Sequence, residues 1–419
     1  MKDYSKYYNL LRYELIPAYG CTEPSALAYA ASIAVSTLGC FPQRIEAFCS
    51  SSIIKNVFSV DIPNAQDLKG PKAAIILGAL VAKPELKLCI LQSVEEEQLK
   101  RAKDLYKTDF CSVTLQPEYE SLYIRIIAKY EEHSSEVELI QEHTNIAFIK
   151  KDGIVISQNK IAGASIPDKS FLSVKNIIDF ADNCDTSLIT DLLDQQINDN
   201  SAIATEGLNN DYGVSVGKNL LNFYDASDVR IRARARAAAA SDARMAGCIM
   251  PVVINSGSGN QGLTVSLPVI EYAKENNVSH DKLLRALIVS NLIAILQKRT
   301  VGNLSAFCGV VHAAAGAASG ISYLSGGSFE DISNIINYTL GTIGGMICDG
   351  AKASCAAKIS EALDAALMGM QLSSQKKYFN DGDGLILSDV ESTINNYGKV
   401  GKDGMKTTNE VVLQLMLEK

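Results

Sequence analysis

The sequence predicts an α+β fold: a mostly helical C-terminal domain with an inserted, mostly antiparallel β-sheet subdomain. Three observations predict it. Apolar residues recur at helical spacing over residues 4–40, with one break. Residues 43–160 then divide into short β-branched runs separated by turn residues. From about residue 170 helical periodicity returns and continues to the end of the chain. The implied organisation is 1–42, N-terminal helices packing on the core; 43–165, an α+β subdomain; and 166–419, a mostly helical domain.

In the first part, Tyr8, Leu11, Leu15 and Ile16 share a helix face, Pro17 interrupts, and SALAYAASIAVSTLG resumes the helix. The break carries Gly20-Cys21-Thr22-Glu23-Pro24. Pro24 suits a first helical turn, so Cys21 falls just before a helix N-terminus, where the dipole favours thiolate. In the second part, RIEAFCSSSIIK, LKLCILQSV, CSVTLQPE, LYIRIIAKY, SSEVELIQE and NIAFIKKDGIVIS read as strands, and GPKAAIILGALVAK as a helix. In the third, helices are expected at 171–183, 186–199, 217–225, 228–248, 262–275, 281–297, 304–320, 328–346, 351–371 and 404–417, separated by Ser, Gly, Asn and Asp clusters. No repeat of fixed period is present.

The chain has 419 residues, 47% hydrophobic and 21% charged, an ordinary globular profile. Its net charge of −8 argues against broad binding to nucleic acid or to anionic membrane. The stretches Leu283 to Leu296 and Phe307 to Leu324 read as buried helices, so no membrane span is expected. The charged first turns lack the apolar core of a secretory signal. Ten cysteines without such a signal point to a reducing compartment, and a cytoplasmic location is expected.

Three cysteines late in the chain, Cys308, Cys348 and Cys355, hold the first candidate chemistry. In one continuous helix, the sulfurs of Cys348 and Cys355 would stand roughly 10 Å apart along the axis, too far for one cluster. Asp349-Gly350 is a turn signal, so Cys348 would end one helix and Cys355 open the next. The same spacing also fits two buried thiols flanking a helix start, since C-x6-C is not a common metal signature.

NSGSGNQG at 255–262 contains G-x-G-x-x-G through Gly257, Gly259 and Gly262. A dinucleotide site would need a second strand about 20 residues on, where the sequence is helical. A turn whose backbone N–H groups (Ser256, Gly257, Ser258, Gly259, Asn260, Gln261) face a carboxylate at a helix start fits better; an ordinary tight turn fits as well. The alternating arginines Arg230 to Arg236 fan around a helix axis and form no basic stripe. Arg244 stands apart as either a buried ion pair or a carboxylate anchor. His312, four residues after Cys308, would share its helix face; a lone His in an apolar helix is otherwise a core residue. Lys55, Lys352 and Lys358 are further candidates for anion contacts. No P-loop, H-E-x-x-H, G-x-S-x-G or EF-hand motif occurs, nothing marks a pyridoxal phosphate lysine, and no PLP is expected.

Together GCTEP, ASDARMAG, NSGSGNQG, Cys308 and CDGAKASCAAK resemble the L-cysteine desulfidase family, relatives of the iron–sulfur L-serine dehydratases. The resemblance extends through the tail FNDGDGLILSDVESTINNYGKVGKDGM. It implies a [4Fe-4S] cluster on Cys308, Cys348 and Cys355 with one iron open, and Cys21 as catalytic thiol or fourth ligand. The implied activity is α,β-elimination on a small-molecule amino acid, L-cysteine above others, giving sulfide, pyruvate and ammonia. The open iron would act as Lewis acid and a base such as Cys21 would take the α-proton. Asn56 and the 256–262 turn, with Lys55 or Arg244, would hold the carboxylate. One departure stands out: at 57–70 the glycines usual in the family are replaced by Val, Phe, Ser, Asp and Asn, although Lys55, Asn56 and Ile62-Pro63 remain. An L-serine dehydratase and a non-catalytic amino-acid-binding relative are the alternatives, and a homo-oligomer is left open.

Overall fold

The computed structural model describes residues 3–58, 60–62, 64–119, 122–158, 167–302 and 305–418. Pro63 and the expected domain boundary at 165/166 lie outside the described residues.

The chain opens with α1 (Ser5–Glu14), β1 (Pro17–Tyr19) and α2 (Thr22–Leu38), which ends on Gly39 in the left-handed region at φ +88°. The two N-terminal helices part company. Leu10 and Leu11 of α1 bury in the helical core, with Tyr7 stacked on Phe180. The apolar residues of α2, in contrast, bury in the core of the sheet subdomain.

The subdomain comprises β2 (Arg44–Ser50), α3 (Ser51–Val57), α4 (Gly70–Val81), 3-10 turns over Pro84–Ser93, α5 (Glu96–Tyr106), β3 (Cys111–Gln116), β4 (Tyr123–Tyr130), β5 (His133–Ile140), β6 (Ile146–Lys151) and β7 (Ile154–Gln158). The sheet order is β3-β2-β4-β5-β6-β7, with β2–β3 parallel and every other pair antiparallel. Ile45, Ala47 and Cys49 alternate inward along β2. On α4, a Cβ at Gly78 would fall 2.1 Å from the Ala28 carbonyl oxygen, so glycine lets α2 and α4 touch.

Two stretches expected as strand are helical. LKLCILQSV forms the 3-10 turns behind Pro84, and SSIIK forms α3. Ile53 and Ile54 are adjacent and both buried, which the alternating faces of a one-sided strand do not allow.

The helical domain runs through α6 (Val174–Asn183), a short turn at Thr186–Leu188, α7 (Thr190–Asn209), α8 (Val216–Phe223), α9 (Val229–Met245), β8 (Pro251–Val253), α10 (Gly259–Glu275), α11 (His280–Val301), α12 (Val310–Leu324), α13 (Phe329–Ile343), α14 (Ser354–Ser374) and α15 (Val390–Lys399). β1 and β8 pair antiparallel and tie the chain start to the entry of α10. The arginines of α9 are taken up in ion pairs: Arg232 with Glu271, Arg234 with Asp364, Arg236 with Glu271. After a π-helical turn at Val400–Gly404, α16 (Lys406–Leu417) returns to the subdomain, where Leu413 joins the sheet-side core. Among the described residues, no helix is long and apolar enough to cross a membrane.

Candidate active site

A cavity of about 390 Å³ opens where the two cores meet. The thiols are placed by backbone pairing. Phe307 and Ile347 form an antiparallel bridge; Cys308 N–H donates to Met346 O at 2.9 Å and Cys348 N–H to Ala306 O at 2.7 Å. This sets the Cys308 and Cys348 side chains in hydrogen-bond contact. Gly350, at φ +94°, turns the chain into α14, where Cys355 occupies the first turn with its Sγ 3.6 Å from Gly350 O. Cys355 packs with Cys21 and Met245.

Two expectations are corrected here. Cys348 lies on an extended segment and not at a helix end, because α13 stops at Ile343 before Gly344-Gly345. The helix expected from 304 begins at Val310 (residue 304 itself lies outside the described residues), so Cys308 precedes it and does not share a helical face with His312. His312 is buried, stacked on Phe307 with ring centroids 5.0 Å apart, and does not line the cavity.

The hydrogen bond from Cys308 lowers the Cys348 pKa, helped by Lys55, the Gly350 N–H and Lys358; the same bond, then burial, raises that of Cys308. Cys21 goes against the helix-dipole expectation: burial pushes its thiol up to about 12, although Arg244 opposes the shift.

Lys55 reaches the site from behind. Its Nζ donates to Cys348 O, Ser305 O and Asn409 Oδ1, so it holds the thiol segment and does not line the cavity. Lys352 and Lys358 both pair with Asp349, and Lys352 also lies off the cavity wall.

Across from α14, Arg244 donates to Gly20 O at 2.7 Å and Asn260 Oδ1 at 3.1 Å. Its Nε is buried without a hydrogen-bond partner among the described residues. Gly259 is not itself on the wall, but a Cβ there would lie 2.3 Å from that Nε, so glycine lets the guanidinium lie on the first turn of α10. Ser256 and Gly257 take positive φ, Ser258 caps α10, and Thr22 Oγ1 donates to Gly257 O at 3.0 Å. Ser256, Gly257, Ser258, Asn260 and Gln261 line the cavity, as does Asn56. Gln261 Oε1 and Asn56 Oδ1 are buried and unpartnered among the described residues. Unmet polar atoms around a cavity are the mark of a site for a polar ligand.

Glu23, Glu142, His143 and Lys298 also line the cavity, beyond the residues expected from the sequence. Glu23 accepts from Asn56 at 2.9 Å and from Thr22 at 3.1 Å. Glu142 accepts from Tyr13, and His143 stands beside it on the β5–β6 turn with its Nε2 buried and unpartnered among the described residues. Lys298 on α11 is 5% exposed, and burial pulls its ammonium down to about 8 while the Cys348 and Cys308 charges oppose this. Glu23 sits in the GCTEP motif and had a local signal; the other three had none.

Residues 85–414 match the family described as serine dehydratase alpha chain. The chain is 49% identical to a UPF0597 protein of Lachnoclostridium phytofermentans, over 99% of this chain and 100% of the relative. It is 43% identical to UPF0597 proteins of Treponema denticola, over 99% and 98% of the two chains, and of Finegoldia magna, over 100% of both. The chain belongs to the serine dehydratase alpha-chain family. In this family member Arg244, the 255–262 turn and the three late cysteines fall within the matched segment; Cys21, Glu23 and Asn56 precede it.

Among the described residues, no group of three or more His, Cys, Asp or Glu is spaced to hold a single metal ion. Cys308, Cys348 and Cys355 are free, face one cavity and have ammonium groups nearby, which suits a thiolate-ligated cluster.

Proposed function

We propose that the protein is a lyase that removes the β-substituent of a small L-amino acid by α,β-elimination, with L-cysteine as preferred substrate and sulfide, pyruvate and ammonia as products. The observation that carries this reading is the meeting of Cys308, Cys348 and Cys355 at one cavity with Arg244. Those three cysteines would hold a [4Fe-4S] cluster, which when bound supplies a Lewis acid for the leaving group. The substrate carboxylate is assigned to Arg244 Nε and the backbone of the Ser256–Asn260 turn. That guanidinium is already oriented by Gly20 and Asn260, so binding loses little side-chain freedom. Lys55 keeps the Cys348 segment in place, and Asn56 orients Glu23 on the cavity wall. Free thiols throughout the chain fit a reducing cytoplasm.

The family match favours one second reading, an L-serine dehydratase using the same site. Anaerobic purification, iron and sulfide analysis, and parallel assays of sulfide from L-cysteine and pyruvate from L-serine separate them. Iron-loaded protein that turns over L-cysteine faster supports the desulfidase; faster L-serine turnover supports the dehydratase. Protein that takes up no iron and turns over neither overturns both.

A further inference from the structure

We propose that His143, on the turn between β5 and β6, is the base that takes the α-proton of the substrate. This rests on the lyase reading above and adds to it a residue from the sheet subdomain.

Position carries the argument. His143 lines the cavity, and a Cβ on Gly257 would lie 3.4 Å from its Cε1, so the imidazole rests against the turn assigned to the substrate carboxylate. The α-carbon is bonded directly to that carboxylate carbon. A base seated on the carboxylate cradle is therefore within reach of the α-proton. The Nε2 atom is buried and has no partner among the described residues, whereas the neighbouring carboxylates are engaged: Glu142 with Tyr13, Glu23 with Asn56 and Thr22. Cys21 packs against Cys355 and Met245 and belongs to the thiol cluster.

The charge balance agrees with the geometry. Burial lowers the His143 pKa below its ordinary value, and the two carboxylates that face it, Glu23 and Glu142, oppose this only in part. This favours the neutral ring, which offers a lone pair. In the reaction the Cα–H bond breaks and the proton goes to Nε2. The C–H electron pair becomes the Cα=Cβ bond, and the Cβ–S pair departs with hydrosulfide. The aminoacrylate tautomerises and takes up water to give pyruvate and ammonium, while the imidazolium returns its proton to solvent.

The test compares wild type, His143→Ala and His143→Gln, all prepared anaerobically. The expected result is a loss in kcat of about 100-fold or more in both variants, with KM within a few-fold and iron content and melting temperature unchanged. The acidic limb of the wild-type pH profile should disappear, and added imidazole should partly restore the alanine variant. A variant with wild-type kcat overturns the assignment and leaves the lyase reading standing; a variant that loses iron or melts early makes His143 a structural residue and overturns it too. Wild type that releases neither sulfide nor pyruvate defeats the lyase reading and the assignment together, before any substitution is compared.

Discussion

Lys55 Nζ donates a 3.1 Å hydrogen bond to the carbonyl oxygen of Cys348, joining two residues 293 positions apart. The same ammonium donates to Asn409 Oδ1 at 2.7 Å and Ser305 O at 3.4 Å. A helix of the sheet subdomain thus holds the thiol segment of the helical domain and the last helix of the chain at one point. A buried ammonium is tolerated because its donors are met by three acceptors.

Replacing Lys55 by Met should therefore do more than remove a charge. Acceptors from three segments would lose their donor, at about 1–3 kcal/mol for each that stays buried and unmet. We expect Lys55→Met to lower the denaturant midpoint and to speed alkylation of Cys348 in cluster-free protein. An unchanged midpoint together with unchanged alkylation would show that the thiol segment is held by other contacts.

Gly350 offers a second test of the same junction. A Cβ there would sit 2.6 Å from the Lys55 carbonyl oxygen, and the residue has φ +94°. Gly350→Ala combines backbone strain of about 1–2 kcal/mol with a clash against backbone that cannot rotate away. We expect the Asp349–Cys355 turn to shift, with iron uptake falling several-fold in reconstitution. Gly382→Ala, also at positive φ but in open space, should keep wild-type iron uptake.

What could be read from the sequence was what local chemistry encodes. The Asp349-Gly350 turn, the Pro24 helix start and the strands β4 to β7 each follow from residues within a few positions. Helix α5 carried a usable sign, the reciprocal Glu95–Gln98 cap, but stood among strand-like runs. The α12 start was misplaced because the Ala/Gly-rich run has little to mark a boundary, and the bridge from Phe307 to Ile347 claims the residues before it. His143, Glu142 and Lys298 were out of reach for another reason. Each looks like an ordinary turn or helix residue until the two cores close around the cavity.

Arg244 gives the prediction closest to substrate recognition. Its fork spans Gly20 O and Asn260 Oδ1 while Nε lies against Gly259 on the first turn of α10, and a lysine cannot meet these directions together. Losing one charge-assisted hydrogen bond of about 1.5–3 kcal/mol corresponds to about 10- to 100-fold weaker binding. We expect Arg244→Lys to raise KM for the amino acid by that factor, with iron content kept. Unchanged KM would move the carboxylate elsewhere in the cavity.

Asp242 supplies a pH test independent of catalysis. It is 1% exposed; one carboxylate oxygen accepts from Gly217 N–H at 3.0 Å and the other is buried without a hydrogen-bond partner among the described residues. Burial raises its pKa from 3.8 to about 6, against the pull of the Gly217 and Val216 N–H groups. The folded state therefore holds this proton more tightly than the unfolded chain does. The sign follows: the contribution to stability is complete below about pH 4 and is lost as pH rises through about 6. At roughly 1.4 kcal/mol per pKa unit, the loss is on the order of 3 kcal/mol. Asp242→Asn keeps an acceptor for Gly217 but cannot ionise. Its unfolding free energy, measured by denaturant titration from pH 4 to pH 8, should therefore gain on that of wild type across this window. Parallel curves for the two proteins would mean that water reaches the carboxylate and that its pKa is ordinary.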